Sequence, residues 1–409
     1  WFNNSEIPVS RSLMRKSYSI ELIGESSIFG FPSGFLSNSA QAIPDVTLNA
    51  SEQEQLSGKS GNINIETESL QLLDGGTITS STSGDGDAAT ISIQAADVAV
   101  VGSFSLLSSE TSSSAASGNI QLTVERLSVQ AGGQISAETF GAGNAGTINI
   151  QSDQINISGA SPDGSAVSRI NAISSSVGNA GSIGISANDL TVSDQGIISV
   201  GSTATGDAGN LDVIADSIRL DNQGSLQAST VSGEQGNITL RAQSLLSLRN
   251  SSTITTNATG EASGGNITIV SPIILGLENS DIVANAVQGR GGNIDITTRE
   301  ILGLEFREQL TPGNDITASS QSGVNGTVEI NTIGFEPSAE EIELPTTFVE
   351  ASNQITQGCV NSINNQFIVT GRGGIPENPT QIVSSANTWV DMRDFSSVID
   401  NIAPDVSNA

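Results

Sequence analysis

Carboxylates are the only groups in this sequence numerous enough for acid–base chemistry. Aspartate and glutamate total 43 against 14 lysines and arginines, and there is no histidine. The lack of histidine excludes an imidazole base, a Ser-His-Asp triad and a His-ligated metal. Glycoside hydrolysis needs two carboxylates facing one scissile bond. Asp295 with Glu329, and Asp281 with Asp315, have matching 34-residue separations that suit such a pair. Solvated acids on an acidic surface are the plainer alternative. Gly84-Asp85-Gly86-Asp87 has the letters of a calcium loop but lacks the periodic aspartate of a calcium β-roll, and reads as a polar turn. Cys359 is the single cysteine, so no intrachain disulfide forms. With no base beside it, it reads as buried rather than reactive. Arg372-Gly373-Gly374 has the composition of an anion-binding nest but reads as a glycine turn. No catalytic residue, cofactor or metal site is assigned.

These residues sit in a repeating frame. Gly118-Asn119-Ile120-Gln121-Leu122 recurs as Gly61-Asn62-Ile63-Asn64-Ile65, Gly146-Thr147-Ile148-Asn149-Ile150 and Gly181-Ser182-Ile183-Gly184-Ile185. The first apolar residues of the copies are Ile63, Ile91, Ile120, Ile148, Ile183, Leu211, Ile238, Ile267, Ile294 and Val328. They are spaced by 28, 29, 28, 35, 28, 27, 29, 27 and 34 residues. A near-fixed period of this size marks a solenoid.

Each repeat reads as three short strands. The first carries two apolar residues two apart, which puts both side chains on one face. A second strand holds an apolar residue seven after each anchor, including Leu70, Val98, Leu127, Leu245 and Phe335. A third begins at Ile78, Leu106, Ile135, Ile170, Ile198, Leu226, Ile254, Ile282 and Ile316. The expected fold is all-β, a right-handed parallel β-helix of about ten coils with a small C-terminal tail. One coil cannot bury its own apolar face, so stability must come from the stack. The repeat glycine is expected to serve a tight corner.

In the two long steps the extra residues fall between the second and third strands. One excursion contains Pro162 and Asp163, the other Phe306 and Pro312. Loops on a rigid scaffold often carry recognition, so these four residues are candidate recognition positions. A tolerated surface loop is the alternative.

Residues 1–45 read as an irregular segment with a partial coil, in which Ile20-Glu21-Leu22-Ile23 resembles a second strand. Residues 46–335 read as the β-helix, and 336–409 as an acidic linker with a capping tail. In the last coils Leu246, Leu275 and Leu302 replace the small or polar residue of the second strand. Either a register shift turns them inward, or they form an exposed stripe covered by the tail residues Phe367, Val369 and Trp389. The second is the expectation here.

The net charge of −29 would repel a phosphate backbone, which argues against nucleic-acid partners. No apolar run is long enough to insert into a membrane. The chain does not begin with Met and has no secretory signal in view, so it reads as a piece of something longer.

The repeats, Phe31-Pro32-Ser33-Gly34, Thr139-Phe140-Gly141-Ala142-Gly143-Asn144-Ala145-Gly146 and Thr370-Gly371-Arg372-Gly373-Gly374 together resemble the C-terminal part of cyanobacterial filamentous-haemagglutinin-like exoproteins. The resemblance implies a two-partner secretion adhesin, exported through an outer-membrane transporter and displayed outside the cell, where glycans are possible partners. The family's N-terminal secretion domain has no counterpart in these residues. A polysaccharide-active β-helix enzyme and a non-binding spacer are the competing readings.

Overall fold

The computed structural model describes residues 19–23, 28–30, 48–51, 62–233 and 236–333. Over these residues the chain is a parallel β-solenoid of about eight turns, with no helix. Phe335, Cys359, the Arg372 turn, Phe31-Pro32-Ser33-Gly34 and the tail residues Phe367, Val369 and Trp389 lie outside them.

Two parallel sheets of 12 strands each run along the stack. The long-strand sheet includes Ile91–Val101, Ile120–Gln130, Ile148–Ser158, Ile183–Ser193 and Leu211–Asp221, each hydrogen-bonded to the next. Ser19–Ile23 pairs with Ser69–Leu73 in this sheet, setting Ile20 against Leu70, so it joins the second-strand column as expected. The short-strand sheet includes Thr77–Thr82, Leu106–Thr111, Gln134–Thr139, Arg169–Ser174 and Ile197–Ser202.

From Ile91–Val101 to Ile294–Leu302 the first and second strands of the repeat are one bent strand, while in the coil before them Ile63–Glu66 and Ser69–Leu73 are separate. In Ile120–Gln130 the buried side chains are Ile120, Leu122, Val124, Leu127 and Val129. Alternation breaks at Glu125-Arg126, where two successive side chains point outward. That pair turns the corner, and both halves keep one apolar face on the core. Ile63, Ile91, Ile120, Ile148, Ile183, Leu211, Ile238, Ile267 and Ile294 are all buried, while Val328 in the last rung is half-buried. Each fully buried Ile or Leu contributes about 1.5–3 kcal/mol before chain entropy is subtracted.

The repeat phrase owes its glycine to the neighbouring coil. None of Gly118, Gly146, Gly181, Gly209, Gly265 and Gly292 has a positive φ, so the tight-turn expectation does not hold. A Cβ on Gly181 would lie 1.8 Å from the carbonyl oxygen of Gly146, and one on Gly146 would lie 1.9 Å from that of Gly118. The coils approach so closely at this edge that only hydrogen fits.

The asparagine beside the glycine also acts between coils. The Asn119 Oδ1 accepts the Thr147 N–H at 2.8 Å, and Asn237 Oδ1 accepts the Asn266 N–H at 2.9 Å. Asn62, Asn210, Asn266 and Asn293 do the same for Thr90, Asn237, Asn293 and Thr327. Where serine replaces asparagine, the Ser182 hydroxyl accepts the Asn210 N–H instead. At the end of the short strands, the Thr82, Thr111 and Thr139 hydroxyls donate to the carbonyls of Gly86, Ala115 and Gly143 at 2.6, 2.8 and 2.6 Å. This pins the turn that leads to the glycine edge.

Two register details depart from the sequence reading. In the short-strand sheet Leu107 is buried and pairs with Ile78 and Ile135, while Leu106 lies on the other face, because this coil has one extra residue before the strand. Ile238–Leu248 shifts register after Ala242, so Leu246 and Leu248 are buried and Leu245 is only half-buried. The bulge turns Leu246 inward, and the seven-residue offset is not constant. Leu275 stays half-buried and Leu302 is 43% exposed, so these two do point outward. Beside them Gly276 occupies an inward position, and the buried Leu304 side chain fills the room its missing Cβ leaves.

Candidate functional site

The column between the first-strand anchors faces outward. Asn64, Ser92, Gln121, Asn149, Asp212, Thr239 and Thr268 are exposed or half-exposed, and inter-coil pairing keeps them in line. Asp295 and Glu329 stand directly opposite one another on successive strands, both exposed. At the corner of the long strands, Thr123, Gln151, Asp153, Ser186 and Asn188 line a shallow, open depression. There Asn188 Nδ2 donates to Asp153 at 3.2 Å.

The first excursion is a closed loop. Ala160 and Val167 form an antiparallel bridge at its base. Asp163 Oδ1 accepts the Ser161 hydroxyl at 2.5 Å, the Ser165 N–H at 3.1 Å and the Ser165 hydroxyl at 2.8 Å. These bonds, the Ser161 hydroxyl foremost, lower the carboxyl pKa from 3.8 to about 2. Pro162 and Asp163 are both exposed, and one Asp163 oxygen organises the loop.

The second excursion ends a sheet. Its residues Glu305–Phe306 form a short strand parallel to Asp315–Thr317 and make the last member of the short-strand sheet. An unpaired edge invites association, and this strand covers it. Phe306 is 56% exposed and Pro312 is exposed, so both remain open to solvent.

Asp315 departs from the sequence reading. Its side chain is fully buried rather than outward. Arg307 and the Thr311 N–H bind its two oxygens, and the Thr311 hydroxyl adds a bond at 3.1 Å. Burial alone would raise its pKa, but these donors outweigh burial and hold the carboxyl below the usual range. Asp281 accepts the Asp315 N–H at 2.8 Å. Its pKa is raised, first by burial and further by the charge of Asp315. The two acids therefore anchor the excursion, and Asp315 has no free face for a substrate.

A third acid pair is absent from the sequence reading. Glu110 and Glu138 are directly opposed on successive short strands. The signal is Ser109-Glu110-Thr111 repeated one period later as Ala137-Glu138-Thr139. Burial raises the Glu110 pKa; a hydrogen bond from Ser108 opposes this and repulsion from Glu138 adds to it. Beside them Asn171 Nδ2 donates to Glu138 Oε1 and Ser136 Oγ, and Arg169 donates to Gln134 Oε1 at 3.0 Å.

Gly84-Asp85-Gly86-Asp87 is a turn, with the Gly86 carbonyl bound by Thr82 and Asp87 Oδ1 accepting the Ala116 N–H at 3.0 Å. Among the described residues no cluster of three metal-ligating side chains occurs, and no helix is long and apolar enough to cross a membrane. No family model, curated protein or solved structure matches this chain.

Proposed function

We propose that this chain is the β-helical rod of a secreted or surface-displayed adhesin. Its outward columns and corner loops make the contacts. The observation that carries the reading is the rigid, regularly spaced array of polar side chains on the outer face, exemplified by Asn64, Gln121, Asn149 and Thr239. A sheet holds such groups at fixed spacing with little entropy to lose on binding, which suits repetitive partners such as surface glycans. The resemblance to filamentous-haemagglutinin-like exoproteins supports the same reading, with an outer-membrane two-partner transporter as the export partner and an extracellular home. Ten right-handed coils belong to it too, on the rule that parallel crossovers are right-handed.

Beads coated with the purified chain test the proposal. They should be retained on glycan-coated surfaces under flow and released by the soluble glycan. Retention no better than that of beads coated with an unrelated acidic protein would overturn it.

A further inference from the structure

We propose that Glu110, Glu138, Arg169 and Asn171 form a binding site for a neutral saccharide on the outer face of the short-strand sheet. This deepens the adhesin reading and rests on it. The four residues lie on three successive strands. Glu110 faces Glu138, which is followed in the same column by Ile173. Arg169 and Asn171 point outward from the third strand, because Ile170 and Ala172 between and beyond them fill the core.

The site has unmet hydrogen-bonding capacity of both signs. Asn171 is 0% exposed, and its amide nitrogen is bound to Glu138 and Ser136, which fixes its orientation. Its Oδ1 is buried without a partner, and so is the Nε of Arg169. A buried polar atom left unpaired is destabilising, so a partner for it is favoured. One is an acceptor and the other a donor, two residues apart on one side of a strand. A hydroxyl group both donates and accepts, so a polyhydroxyl ligand can engage both. The two carboxylates offer further acceptors for O–H donors, and a hydroxyl between them separates two like charges.

Competing ligand classes fit less well. A uronate or phosphate would bring negative charge to two carboxylates on a chain of net charge −29. A metal ion would find two carboxylates and no third metal-ligating side chain among the described residues. Arg169 is half-exposed, and rotation of its long side chain would admit a ligand to the covered atoms.

Calorimetric titration of the full chain with maltohexaose, cellohexaose and xylohexaose tests the site. At least one should bind saturably, and Glu138→Gln and Arg169→Met should each weaken it about tenfold or more. Circular dichroism melts confirm that the variants fold, and Glu110→Gln, which keeps the side-chain shape, serves if either does not. Absence of binding by all three sugars, or binding that the variants leave unchanged, overturns the site. The bead assay separates this from the wider reading. Bead retention together with hexaose binding that the variants leave unchanged leaves the adhesin standing without this site. Loss of hexaose binding in the variants supports the site even if beads are not retained.

Discussion

Replacing Gly181 by alanine tests the inter-coil contact that the repeat imposes. The added Cβ would sit 1.8 Å from the Gly146 oxygen and 2.8 Å from its carbonyl carbon. Neither atom belongs to a side chain, so no rotamer change relieves the clash. Restoring ordinary contact means opening the gap by roughly 1.5 Å, since carbon and oxygen rest about 3.4 Å apart. The bonds flanking that gap run from Ala145 N–H to the Asn179 carbonyl at 2.8 Å and from Ile148 N–H to the Ser182 carbonyl at 3.0 Å. Losing both costs about 1 kcal/mol each, and overpacking adds about 1–3 kcal/mol. Reduced entropy of the unfolded chain returns about 0.4–1 kcal/mol. The expected net loss is about 2–5 kcal/mol.

Two other glycines isolate the cause. Gly164 has φ +71° and nothing within 4 Å of an added Cβ, so Gly164→Ala should show backbone strain alone, about 1–2 kcal/mol. Gly184 faces outward, and its Cβ would meet only the movable Asn149 Oδ1 at 2.9 Å. Gly184→Ala should be neutral or slightly stabilising. Urea and thermal melts followed by far-UV circular dichroism give the ranking. If Gly181→Ala melts with the wild type, or Gly184→Ala loses as much, coil proximity is not what selects glycine.

Three further outcomes are expected. Leu304→Ala should destabilise by about 2–4 kcal/mol. Gly276→Ala, whose Cβ would lie 2.4 Å from Leu304 Cγ, should cost clearly less in the Leu304→Ala background; purely additive losses would show that the two do not share one space. The Asp163 loop should hold above the ordinary carboxyl value of 3.8 and open as pH falls through about 2, because a lowered folded pKa gives stability that protonation removes. Hydrogen exchange at Ser165 across that range reports it, and loop protection that does not change with pH would contradict it. Glu110→Gln should melt higher than the wild type at pH 7 and level with it near pH 4. A carboxyl with a raised folded pKa penalises the fold only once pH exceeds its ordinary value of 4.5. An equal shift at both pH values would point to packing instead.

The apolar ladder was legible in the sequence because Ile120, Ile148 and Ile183 fill one invariant environment, so their identity and spacing repeat. Details set by the adjoining coil were not. The demand on Gly181 comes from a carbonyl 35 residues away. At Leu106-Leu107 and Leu245-Leu246 either of two neighbouring leucines satisfies the apolar pattern, and only pairing across the sheet decides between them. Glu110 and Glu138 do repeat at one period, but they stand on the third strand, away from the column between the first-strand anchors. The burial of Asp315 depends on Arg307 and Thr311 folding back from an excursion whose course no period dictates.

The asparagine joint has a consequence for how such a chain can change in length. Asn62, Asn119, Asn210, Asn237, Asn266 and Asn293 each bind a main-chain N–H, which every residue except proline supplies. The residues they hold are Thr90, Thr147, Asn237, Asn266, Asn293 and Thr327. The joint is therefore indifferent to which side chain arrives, and coils become interchangeable parts. Removing residues 211–237 whole would bring Asn266 onto Asn210 as its new neighbour, with donor and acceptor of the same kind on each side. Length can then be gained or lost one period at a time, without re-matching the parts on either side.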